Sequence, residues 1–101
     1  NKGLAYFELE EKELAIKSFE KAISINKNAE TLLALSVTLY IENQSGFIPL
    51  AKEALLKDPN YVLSEYREDQ LWGEKLQNAT KEMFKLEELQ IDIELAKKYL
   101  K

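Results

Sequence analysis

Residues 3–23 read GLAYFELEEKELAIKSFEKAI, and the order of small, large and charged side chains in this stretch decides the fold. Leu4, Ala5, Phe7 and Leu9 form a short apolar run that stops at Glu10-Glu11-Lys12-Glu13. Apolar character then restarts as Leu14, Ala15, Ile16, Phe19, Ala22 and Ile23, spaced largely in steps of three and four. That spacing belongs to one face of an α-helix, so the stretch reads as two helices joined by a polar turn. Gly3 and Ala22 are small, as close helix approach requires, whereas Tyr6 and Phe19 are large enough to fill the gap between helices.

The pattern continues outward. Asn26-Lys27-Asn28 closes the first pair, with asparagine expected in the left-handed conformation that ends many helices. Leu32, Leu33, Leu35, Val37, Leu39, Tyr40 and Ile41 are too rich in apolar residues for an exposed helix and predict one buried on more than one side. Asn43-Gln44-Ser45-Gly46 reads as the turn of a second pair. A helix restarts near Ile48, with Pro49 in its first turn, where a missing N–H costs nothing. Leu50, Ala51, Ala54 and Leu55 carry that helix to Lys57-Asp58-Pro59-Asn60.

With Gly3, Tyr6, Ala15, Phe19 and Ala22 in register and Ala54-Leu55-Leu56-Lys57-Asp58-Pro59 as a closing signature, residues 1–60 resemble the tetratricopeptide repeat (TPR) family. The resemblance implies an all-α fold, a right-handed α-solenoid of antiparallel helix pairs. The first repeat is entered partway through its first helix, so further residues of that helix are expected upstream. Three departures stand out. Asn26-Lys27-Asn28 occupies the place of a usual proline, the turn of the second unit is one residue short, and Phe47 and Ala51 exchange a large and a small place. The last reads as a volume-conserving swap.

The same resemblance implies a protein–protein interaction scaffold with no enzymatic activity. Its first helices would line a concave, mainly hydrophobic groove for a peptide or helix of another protein, with Phe7, Glu8, Glu30, Leu33, Val37, Tyr40 and Ile41 as partner-binding residues. Phe7 and Tyr40 would anchor the partner, and Glu8 and Glu30 would set a charge preference. The lysine and asparagine set with which some TPR proteins hold a terminal carboxylate has no counterpart here. Upstream repeats, or the chain's own C-terminal helix, are the competing occupants of that groove.

Residues 61–101 depart from the repeat and read as C-terminal capping helices. Tyr61–Gln70 suggests a short helix with few core candidates. Leu71, Trp72, Leu76, Ala79, Met83 and Leu86 describe a longer amphipathic one. Leu89, Ile93, Ala96 and Leu100 fall out of phase with it, which predicts a bend between Lys85 and Gln90. One continuous helix is the alternative; it would leave its last stripe for a second copy, making the segment a self-association element and the protein a homodimer. A regulatory domain within a longer chain is a further alternative. Gln70-Leu71-Trp72-Gly73-Glu74-Lys75-Leu76 resembles the tail of certain cyanobacterial TPR proteins of obscure function, which implies a bacterial cytoplasmic or membrane-associated soluble region, with cytoplasmic as the expected location, and no particular activity.

Composition narrows the chemistry. The 101 residues contain no histidine and no cysteine, so the commonest general base, thiol nucleophile and soft metal ligands are missing. No catalytic residue, metal or cofactor is expected. The acidic groups Glu8, Glu10, Glu11 and Glu13, and Glu87, Glu88, Asp92 and Glu94, lack calcium-loop spacing and read as solvated charge. A net charge of -4 disfavours nucleic acid, and no apolar run approaches a membrane span. Lys97, Lys98 and Lys101 fit the carbonyl end of a helix.

Overall fold

A computed structural model describes residues 1–101 as helices and turns, without a strand. In chain order the helices are α1 (Lys2–Glu8), α2 (Lys12–Ile25), α3 (Ala29–Ile41), α4 (Phe47–Lys57), α5 (Ser64–Asp69), α6 (Glu74–Met83) and α7 (Gln90–Lys98). Single 3₁₀ turns at Pro59–Val62 and Glu87–Leu89 precede α5 and α7. Side chains from Leu4 to Ala96 share one continuous core, so the repeat-like half and the C-terminal half are packed on each other.

The first four helices pack consecutively, α1 on α2, α2 on α3 and α3 on α4. Phe19 is wholly buried, and a Cβ added to Gly3 would run into its ring carbons, so the small and large residues singled out in the sequence do meet. Ala29 and Thr31 through Thr38 of α3 are all buried. This encirclement is why its sequence shows no polar face. On α4, Phe47 meets Tyr40 edge-to-face at 5.4 Å and its carbonyl accepts a 2.6 Å hydrogen bond from Ser36 Oγ, while Ala51 is fully buried.

The turns correct one expectation. Asn26 is extended (φ -148°), and the work at this junction falls to Asn28, whose side chain caps α3 by accepting from Thr31 N at 2.9 Å. Left-handed backbone occurs instead at Glu10, Asn43 and Gly46. Gly46 has open space around its Cα, so φ +94°, rather than crowding, is what calls for glycine there.

The C-terminal half needs three more corrections. First, α6 begins at Glu74 and not at Leu71; Leu71 is left-handed (φ 68°) and 85% exposed, whereas Trp72, one residue on and still outside the helix, is buried. Second, Tyr61–Gln70 is not poor in core residues, since Tyr61, Val62 and Arg67 are buried. Arg67 Nε donates to Gln77 Oε1 and Nη1 to the Tyr61 carbonyl, both at 2.7 Å, and its guanidinium lies 5.2 Å from the Phe84 ring centre. Third, of the last stripe Leu89, Ile93 and Ala96 are buried but Leu100 is 40% exposed. The expected bend is present and divides α6 from α7, with Gln90 Nε2 donating to the carbonyls of Phe84 and Leu86 at 2.8 Å.

The Gly3–Phe19 contact yields a prediction of definite sign. Gly3→Ala improves helix propensity by up to ~1 kcal/mol, yet crowding an immobile ring costs about 1–3 kcal/mol. Urea denaturation is expected to show net destabilisation, and Phe19→Leu, which makes room, to shrink the penalty of Gly3→Ala. A stabilised Gly3→Ala variant would contradict this packing.

Candidate functional site

The groove that the sequence assigns to a partner lies along α1 and α3, and α6 packs on both helices. Phe7, Leu33 and Val37 are buried, and Ser36 Oγ of α3 approaches Met83 Sδ of α6 at 3.4 Å. Of the seven candidate residues, only Tyr40, Ile41, Glu8 and Glu30 keep appreciable exposure. Both acids are engaged by the chain itself.

Glu8 shows how α6 is held. No side chain of its own caps that helix, because Gly73 stands at the N-cap, and the exposed N–H groups of a first turn favour an anion. Glu8 supplies it from α1: Oε1 accepts from Lys75 N at 3.0 Å and Oε2 from Leu76 N at 2.9 Å. A Cβ at position 73 would collide with the Glu8 carboxyl, so glycine makes this approach possible. Lys75 Nζ adds a 3.2 Å bond to the Glu8 carbonyl and an ion pair with Glu10 at 3.5 Å. The reading of Glu8 as solvated charge is therefore corrected.

Glu30 plays the matching part on α3. Its Oε2 accepts from Trp72 Nε1 at 3.2 Å and, more distantly, from Tyr61 OH at 3.5 Å. Tyr61 stands edge-on to Tyr66 at 4.9 Å and tilted against Trp72 at 6.0 Å. Tyr66 OH donates to Asp58 Oδ2 at 3.2 Å. Burial, then the charge of Glu30, pushes the Tyr61 phenol above its ordinary value; Tyr66 moves the same way through desolvation and Asp58. Desolvation lowers Arg67 to about 10. Trp72, Gly73, Tyr61 and Arg67 were not among the candidate site residues. One usable signal was a glycine at a helix start with no Ser, Thr, Asp or Asn to cap it, which requires a cap from elsewhere.

Besides a depression of about 290 Å³ whose lining includes Leu4, Ala5, Glu8, Glu30 and Leu71, what stays open is the end of the groove beside the α1–α2 turn. Phe7, Ile41 and Ala79 contribute its apolar part and Glu10, Lys12, Lys75, Asn78 and Glu82 its polar part, around a depression of about 340 Å³. Lys12 Nζ sits 5.8 Å from the Phe7 ring centre, a cation–π distance. Tyr40 and Ile41 end α3 nearby in sequence and are half-buried. No group of acidic side chains converges as a metal site, and no helix is long and apolar enough to cross a membrane.

Helices α1 and α2 together fall within residues 1–29, which match the family model described as Tetratricopeptide repeat. Proteins built on this repeat are in general interaction modules and non-enzymatic scaffolds. No curated protein and no solved structure matches the chain.

Two outcomes follow from the site. Glu8→Ala strips the first turn of α6 of its anion and is expected to cost about 1–2 kcal/mol in urea denaturation. Glu8→Asp, one methylene too short, should recover little of it. For Tyr61 the sign follows from its raised pKa. Its contribution is complete below the unfolded phenol value of about 10 and is lost as pH climbs beyond it. Tyr61→Phe, which forfeits only a 3.5 Å hydrogen bond, should therefore be less stable than the parent by under ~1 kcal/mol at pH 7. Above about pH 10 that gap is expected to close and reverse in parallel melts.

Proposed function

We propose that this chain is a protein–protein interaction module of the TPR type, its antiparallel helix pairs forming a right-handed stack sealed by C-terminal capping helices. In this reading the partner does not lie along the whole groove. It docks at the open end, inserting an apolar side chain of a peptide or helix between Phe7 and Ile41. The observation that carries this is the division of the groove: Leu33 and Val37 are fully buried, while Phe7, Ile41 and Ala79 still face a depression rimmed by charges of both signs. Glu8 and Glu30 act indirectly, by holding the segment that shapes the rim. The net charge of -4 favours a protein over a nucleic acid partner. On the resemblance of the Gln70–Leu76 tail, the setting is the bacterial cytoplasm.

Comparative affinity capture tests it. Proteins retained by the parent chain should be lost from Ile41→Asp and reduced by Lys12→Glu, yet kept by Ile25→Asp, which changes a side chain already exposed on α2. Circular dichroism must show the same helix content in all three. Retention of the same proteins by folded Ile41→Asp would overturn the open-end reading.

A further inference from the structure

Glu10, Lys12, Lys75 and Glu82 line the depression by Phe7 and Ile41, and these four charges are not equivalent. Glu10, Lys75 and Glu82 are exposed, and each has an opposite charge beside it: Lys75 Nζ lies 3.5 Å from Glu10 Oε1, and Lys85 Nζ 3.2 Å from Glu82 Oε1. Lys12 differs on both counts. It is half-buried, and no carboxylate lies within ion-pair distance of its ammonium. Glu11 and Glu13, its neighbours in sequence, are exposed and do not line the depression.

The position of Lys12 follows from the turn that reverses the chain. Phe7 stands in the last turn of α1, Glu10 takes the left-handed conformation (φ 63°), and Lys12 opens α2, so the ammonium comes to rest 5.8 Å from the Phe7 ring centre. A lysine held in this way lays its stem on apolar surface and keeps its head at the edge. The ring face attracts the cation without neutralising it. The charge left unmatched at this mouth is therefore positive, although the chain as a whole carries -4.

We propose that the partner segment docking at the open end carries an aspartate or glutamate beside its apolar anchor, and that this side-chain carboxylate pairs with Lys12. The proposal rests on the open-end reading above and adds the partner's charge to it. An anchor entering between Phe7 and Ile41 lies against the ring that carries Lys12, so an acid about one helical turn away on a helical partner is placed to reach the ammonium. A lysine or arginine at that place would meet Lys12 as a like charge, while Glu10 and Glu82 are already drawn to lysines of their own. Pairs at a protein surface are weak, so the carboxylate sets selectivity and the buried anchor supplies affinity.

Selection from a random dodecapeptide library displayed on phage tests it. The parent chain is expected to enrich peptides that have an apolar residue with Asp or Glu within about four positions of it, and Lys12→Glu to enrich Lys or Arg there instead. An enriched peptide is then synthesised with an amidated C-terminus and followed by fluorescence polarisation. Replacing its acid by the matching amide should weaken binding to the parent about threefold to fivefold and leave binding to Lys12→Gln unchanged, since that variant keeps part of the stem beside Phe7 and loses only the charge. Enriched peptides that need Ile41 but carry no acid, an equal loss on the parent and on Lys12→Gln, or binding that vanishes on amidation of the C-terminus would overturn the inference and leave the open-end reading standing. Peptides indifferent to Ile41→Asp, or none retained at all, would overturn the open-end reading itself and the inference with it.

Discussion

The hydrogen bonds from Lys75 N and Leu76 N to the Glu8 carboxylate join the first helix of the chain to the start of the sixth, and α6 takes its position from that junction. Magnitudes separate two roles. A helix cap contributes roughly 1 kcal/mol, whereas each fully buried Leu, Met or Phe contributes about 1.5–3 kcal/mol. The fully buried Leu76 and Met83 therefore supply most of the attachment of α6 to α1 and α3. What apolar contact lacks is direction. Glu8 at one point and the Trp72–Glu30 bond at another fix the register in which that burial occurs.

A second constraint is the buried guanidinium. Arg67 has no carboxylate partner; its hydrogen bonds go to a carbonyl and to the Gln77 amide, and the Phe84 ring covers part of it. Taking a cation out of water is costly unless its donors are matched. Gln77 completes the arrangement by donating from Nε2 to the Ser64 carbonyl at 2.9 Å, so one glutamine links the arginine, α5 and α6. This polar seam specifies how α5 sits, where an apolar contact alone would tolerate sliding.

The repeat-like half was legible because its information is local. Gly3 with Phe19 and Tyr40 with Phe47 are pairs whose sizes can be matched between two consecutive helices, and an unbroken apolar α3 announces its own burial. The bend before α7 was legible too, as a phase change in the apolar stripe. The sequence was silent where partners lie far apart: Glu8 among Glu10 and Glu11 resembles any surface acid, and only a helix 67 residues away makes it a cap. Arg67 reads as polar for the same reason, since its acceptors come from two other elements. The candidate groove residues share one face of α1 and α3, and nothing local to those helices announces that α6 packs on both.

The order of elements along the chain has a consequence during synthesis. Helices α1 and α3 leave the ribosome well before α6, which packs on both in the finished structure. At a translation rate of about 5–20 residues per second, these first helices wait for roughly 2–8 s with this face bare. During that interval the growing polypeptide shows chaperones a hydrophobic trough that the mature molecule never displays.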